Sequence, residues 1–246
     1  MAELFTVLCS VTGLACYELV MREAFAAELT AIEGRLDAGL GRAVVTLATV
    51  ADAVVDPTPE RLRAVSDSAA EGRCASRAGD ADLVTITACQ APVASDLRLV
   101  LSLIQVTQHL RLIANQFDLI SQQLREIDAG APDRQRTGER LSEMAMLAAA
   151  QLDHAARAFA ARDVGAAKGI ERDDDAIDKL NRVVFEAALV LEAGRGAREL
   201  GLRHVLVARS LERIGDNAVD IANQVSFLVT ARHQRISAAF GPQRRG

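Results

Sequence analysis

SLERIGDNAVDIANQV, residues Ser210 to Val225, has the pattern of an amphipathic helix. At about 100° per residue, apolar side chains fall on one side and acidic side chains recur four residues apart on the other. The apolar positions are Val207, Leu211, Ile214, Ala218, Ile221 and Val225, and the acidic positions are Glu212, Asp216 and Asp220. We therefore predict a helix with a core-facing side and an acidic side.

The same helical spacing of apolar residues extends in both directions, from Met21 to about Thr230. Breaks are expected at the prolines of 57–59, at Pro92, in the loop-like segment 128–138 and at the glycines of 194–196. The pattern predicts six long helices, which begin at Met21, Pro59, Ser95, Glu139, Val164 and Arg198. We expect an all-α fold of two tandem antiparallel three-helix bundles.

The two halves resemble each other, which indicates an internal repeat. When Leu110 is placed against Leu211, several apolar positions of the third and last helices coincide. The aligned pairs are Leu99 with Leu200, Leu101 with Leu202, Val106 with Val207, and Ile113 with Ile214. We predict a weakly determined extension at 1–20, a first bundle at 21–128, a linker at 129–138, a second bundle at 139–231 and a tail at 232–246.

Composition excludes several classes of protein. The net charge of -5 provides no basic field for nucleic acid. The first twenty residues lack a basic region before their apolar run, and acidic residues bracket that run, so we predict neither a signal peptide nor membrane insertion. The four cysteines form no CxxC pair, which favours a reducing compartment and buried free thiols.

The acidic side of the last helix has two interpretations. It is either a solvated surface with local ion pairs to Arg209 and Arg213, or part of a metal site. A second acidic segment, ERDDDAIDKL at 171–180, places Asp174 and Asp178 four residues apart on the preceding helix. Carboxylates gathered on facing helices suit hard cations. The chain has no EF-hand loop, and these helices carry no Glu-x-x-His motif.

Four segments resemble the PhoU family of phosphate-transport regulators. LERIGDNAVDIA at 211–222 is similar to the signature of that family, and APVASDLRLV at 91–100 resembles its QPxAxDLR segment. MREAFAAELTAI at 21–32 and ARDVGAAKGIERDDDAID at 161–178 resemble two further segments. Together they cover most of the chain from Met21 to Thr230.

The resemblance implies metal sites on the bundle surfaces, built from carboxylates four residues apart. In this chain Asp174 with Asp178 and Glu212 with Asp216 match that spacing. Together with Asp220 they are the expected ligands of a divalent or ferric ion, such as iron, zinc, magnesium or manganese. Asp220 stands where the family often has Asn, and Asn223 where it often has Glu, so the ligand set differs in detail.

The first half departs further from the family pattern. Arg111 and Asn115 replace the Glu and Asp of the LERIGD motif, and the preceding acidic segment retains only Asp80 and Asp82. Because an arginine in a carboxylate cluster repels a cation, we predict one metal site per chain, in the second bundle.

The resemblance also implies a function. Proteins of this kind are not enzymes but negative regulators of phosphate uptake and phosphate-starvation signalling. They are cytoplasmic adaptors at the inner face of the membrane, between the nucleotide-binding subunit of the Pst phosphate transporter and its sensor histidine kinase, and often homodimers. Two alternatives remain at this stage: a metal-dependent helical enzyme or iron-handling protein using the same carboxylates, and a purely structural bundle.

Overall fold

A computed structural model of the chain describes residues 2–127, 134–189 and 195–232, with the side chains of 22–127, 135–170, 175–189 and 196–232. Every element within these ranges is a helix. The helices are α1 (Ala2–Val55), α2 (Pro59–Gln90), α3 (Ala94–Arg125), α4 (Arg134–Ala161), α5 (Val164–Gly169), α6 (Glu171–Leu189) and α7 (Arg195–Thr230). The all-α prediction is confirmed.

Two helices begin directly after a side chain that caps their first backbone amides. The Thr58 hydroxyl caps α2 by accepting a hydrogen bond from the Arg61 amide at 3.3 Å, and Pro59 follows as the first helical residue. The Asp163 carboxylate caps α5 in the same way, from the Ala166 amide at 2.9 Å. Capping side chains therefore set two of the helix starts.

Packing produces two three-helix bundles that share one core. Helices α1, α2 and α3 contact one another, as do α4, α6 and α7, with the short α5 packed against all three of the latter. The bundles meet where α1 packs along α4 and where α3 packs along α7. The buried apolar side chains of both bundles form a single continuous cluster, so the halves are joined through their interiors.

The core stripes predicted from periodicity are confirmed. Phe25, Leu29, Ile32 and Leu36 of α1 are buried, and all six predicted core positions of α7 are fully buried. These side chains supply the hydrophobic stabilisation of the fold, roughly 1.5–3 kcal/mol for each large aliphatic group.

Some expectations need correction. Helix α4 begins at Arg134 rather than Glu139, and the predicted single helix from Val164 is divided at Ile170 into α5 and α6. Gly169 weakens the helix there, while the Ile170 side chain is 1% exposed and anchors the break in the core. The prediction of buried thiols is wrong for Cys74 and Cys89, which are free and exposed, while Cys9 and Cys16 lie outside the described side chains.

The described part of α1, Arg22–Val55, is long and apolar enough by composition to cross a membrane. Half of its most apolar window is buried inside the bundle, where α1 packs against α2, α3 and α4.

Helices α1 and α4 approach each other closely at Gly138, where there is no room for a side chain. A Cβ atom there would lie 2.7 Å from the Val54 carbonyl oxygen, a backbone atom that cannot turn aside. We expect Gly138→Ala to lower the free energy of unfolding by about 1–3 kcal/mol, as overpacking does. Gly34→Ala is the matched control, because no atom lies within 4 Å of its Cβ position. Chemical denaturation should show Gly34→Ala as neutral or stabilising by up to about 1 kcal/mol; equal effects of both changes would contradict the steric argument.

Candidate metal-binding face of the second bundle

The three predicted carboxylates of α7 lie on the side opposite its buried stripe. Asp216 and Asp220 are exposed, whereas the Glu212 side chain is only 18% exposed. The helix thus presents an acidic face, which we define as Glu212, Asp216 and Asp220, at the surface of the second bundle.

Glu212 already has a cationic neighbour. The guanidinium of Arg209, three residues earlier on the same helix, forms an ion pair with its carboxylate. Because the Arg209 side chain is 61% exposed, this pair is a surface interaction of modest energy. An incoming cation would compete with Arg209 for the same carboxylate.

Helix α6 supplies the remaining predicted ligands and packs along α7. Asp178 is half-buried, and its backbone carbonyl accepts a hydrogen bond from Arg182 Nε at 3.3 Å. Asp174 belongs to α6, but its side chain lies outside the described residues. The two acidic segments therefore lie on helices that pack against each other.

The donor chemistry of these carboxylates suits a hard cation, since all are oxygen ligands. Among the side chains that the structure describes, no three His, Cys, Asp or Glu residues come together as a group able to hold a metal ion. Asp178, Glu212, Asp216 and Asp220 are among these described side chains, whereas that of Asp174 is not.

The corresponding face of the first bundle is chemically different. Arg111 stands at the position that Glu212 takes in α7, and its Nη1 atom lies 3.0 Å from Asp80 Oδ2 on α2. Asp82 forms an ion pair with Arg35 of α1. Because a guanidinium stands among the remaining carboxylates, this face does not fit a metal ion.

The rest of the α3 face is uncharged where α7 is charged. Leu112 and Leu119 occupy the positions of Arg213 and Asp220, and their side chains are 45% and 41% exposed. Asn115 occupies the position of Asp216. The two repeats thus keep equivalent helices, but the face that carries three carboxylates in α7 carries none at the equivalent positions of α3.

Sequence reasoning missed a role for Asn217 within the LERIGDN stretch. Its amide nitrogen donates to the Arg213 carbonyl at 2.6 Å, so its amide oxygen faces His109 of α3. The distance from His109 Nδ1 to this oxygen is 2.8 Å, and Nδ1 must carry the proton that is donated. The sequence shows only a histidine on one amphipathic helix and an asparagine on another. Their hydrogen bond could not be predicted without the relative register of α3 and α7.

Comparisons with known proteins agree with this architecture. A family model described as the PhoU domain matches residues 141–225, from α4 to α7. The phosphate-specific transport system accessory protein PhoU homolog of Synechocystis is 28% identical over 145 residues, which cover 59% of this chain and 64% of that protein. The alignment thus spans slightly less than two thirds of the length of this relative.

A longer alignment and a solved structure extend the likeness. PhoU homolog 2 of Mycobacterium bovis is 27% identical over 212 residues, covering 85% of this chain and 98% of that protein. The crystal structure of the phosphate transport system regulatory protein PhoU from Streptococcus pneumoniae superposes with a TM-score of 0.76 at 18% identity. That superposition covers 85% of this chain and 99% of the other, and it establishes similarity of fold.

The Asn217–His109 contact should stabilise the junction between the bundles. Because Asn217 is 9% exposed, Asn217→Ala leaves His109 without its acceptor in a partly buried place. We expect the free energy of unfolding to fall by about 1–2 kcal/mol in a denaturant titration. Gln105→Ala, an exposed position on α3, is the control and should change stability by less than about 0.5 kcal/mol. Equal stability of the two variants would mean that the hydrogen bond contributes nothing.

Proposed function

We propose that this chain is a member of the PhoU family and an accessory protein that restrains phosphate uptake and the response to phosphate starvation. The observation that carries the proposal is the LERIGDNAVDIA stretch of α7, which presents Glu212 and Asp216 at the surface above a fully buried apolar stripe. The names of the aligned relatives, accessory proteins of the phosphate-specific transport system, support the same role.

We further propose that the protein works as an adaptor rather than as an enzyme. In this proposal it binds the nucleotide-binding subunit of the Pst transporter and the phosphate-sensing histidine kinase, at the cytoplasmic face of the membrane, as a homodimer. The two bundles share one continuous core, and packed elements of this kind suit the transmission of a binding event from one face to another. The two chemically different faces of α3 and α7 provide separate surfaces for different partners.

Capture experiments test the adaptor role. Tagged full-length protein is recovered from cells grown with abundant and with scarce phosphate, and bound transporter and kinase subunits are quantified by mass spectrometry. We expect both subunits in the wild-type sample, in proportions that change with phosphate. Asp216→Asn with Asp220→Asn should reduce recovery of one of them, whereas Glu143→Gln, at an exposed position of α4, should not. Recovery of neither subunit in either medium would refute the adaptor proposal.

We also propose that the second bundle binds a divalent or ferric ion through Asp174, Asp178, Glu212, Asp216 and Asp220. Oxygen ligands on two packed helices support it, because hard cations prefer carboxylates. When bound, the ion would neutralise like charges on α6 and α7 and hold the two helices together. Arg209 would compete with the ion, since its guanidinium pairs with the Glu212 carboxylate.

Metal analysis of protein purified without chelator tests this site. Glu212→Gln with Asp216→Asn should abolish bound metal, because two adjacent ligands lose their charge. Arg209→Gln should instead raise the affinity for added Mn²⁺ or Zn²⁺ by about twofold to fivefold, because a surface ion pair no longer competes. Glu143→Gln again serves as the control. Unchanged metal content in the double variant would reject the site.

A further inference from the structure

The first bundle has a positively charged side chain, Arg111, at the position that the internal repeat aligns with Glu212 of the acidic face of α7. The equivalence is supported by burial: Val106, Leu110 and Ile113 of α3 and the aligned Val207, Leu211 and Ile214 of α7 are all 0–2% exposed. Arg111 therefore has the same orientation on its helix as Glu212. The two side chains carry opposite charges at equivalent places.

Contacts between the helices of the first bundle show what this charge does. Arg111 reaches from α3 to Asp80 on α2 at 3.0 Å, and in the opposite direction Arg73 of α2 reaches Asp118 of α3 at 3.3 Å. All four side chains are between 26% and 40% exposed, so both pairs are partly shielded from water. The α2–α3 contact is thus bridged by two reciprocal ion pairs.

The second bundle shows a different arrangement around Glu212. Its ion pair is made with Arg209 of the same helix, and it does not connect α7 to α6. Because Glu212 pairs with a residue of α7 itself, this ion pair does not hold α6 and α7 together; other contacts do so. At the equivalent position in the first bundle, the charged side chain itself makes the connection between helices.

From this contrast we infer that the Arg111 guanidinium is a built-in cation of the first bundle, which joins α3 to Asp80 of α2 and makes that contact independent of metal ions. The inference concerns only the first half, and it holds whether or not the second bundle binds a metal. It assigns the two repeats different chemistry: in the first, a side-chain cation bridges two helices, and in the second, the equivalent helix carries an acidic face.

Hydrogen exchange of the full-length protein, resolved by peptide, tests the inference. In the wild type, adding a chelator or Mn²⁺ should leave the exchange rates of α2 and α3 unchanged. Arg111→Met, which removes the charge but retains most of the side-chain length, should raise those rates by about twofold to fivefold. Arg111→Lys keeps the positive charge and should lie between the wild type and Arg111→Met.

A double variant separates the built-in cation from a merely structural arginine. Asp80→Asn in the Arg111→Met background should restore part of the lost protection, because the carboxylate that lacks a partner is removed. The inference is overturned if this second change gives no recovery, or if the chelator raises wild-type exchange in α2 and α3. Metal content of the Glu212→Gln, Asp216→Asn protein is measured in parallel, so that a failure of the second-bundle site is recognised separately.

Discussion

The antiparallel contact between α3 and α7 is the constraint on which the rest of the structure depends. Residues of increasing number along α3 contact residues of decreasing number along α7. Arg98 Nε donates to the Leu228 carbonyl at 3.3 Å, and His109 pairs with Asn217. At the other end, Arg203 lies 3.4 Å from the Gln123 side chain. These two helices are also the third helices of their repeats. Their register therefore fixes how the third helices of the two bundles lie against each other.

Given this register, the differences between the repeats can be read position by position. The buried positions are shared because both helices must fill the same kind of core at high packing density. The outward positions carry no such constraint, and there Glu, Arg, Asp and Asp in α7 become Arg, Leu, Asn and Leu in α3. The equivalent faces of α3 and α7 therefore differ in charge, whereas the aligned core positions are apolar and buried in both helices.

Sequence patterns predicted the helices and the core because a 3.6-residue apolar period has few other interpretations. The buried stripe of α7 follows directly from the spacing of Leu211, Ile214, Ala218 and their neighbours. The break at Ile170 was missed because it depends on a tertiary contact and not on a strong local break. The thiols of Cys74 and Cys89 were mispredicted because free cysteine is usually buried, whereas at these places α2 faces solvent.

The candidate site was predictable only in part. Spacing placed Glu212, Asp216 and Asp220 on one face, but it could not reveal that Arg209 pairs with Glu212 or that Asn217 belongs to the α3 junction. Such pairings depend on rotamers and on helix register, which are set by packing. The same holds for Arg111, whose presence was visible in the sequence but whose partner on α2 was not.

The Arg111–Asp80 pair has a consequence for how the protein responds to its surroundings. A guanidinium attached to the chain has a fixed effective concentration at its carboxylate, set by covalent linkage and fold rather than by the solution. Depletion or excess of free ions in the cell leaves that occupancy essentially unchanged. The charge at the α3 face is therefore constant. Any reversible binding of ions at the α7 face would change the charge of the second bundle alone.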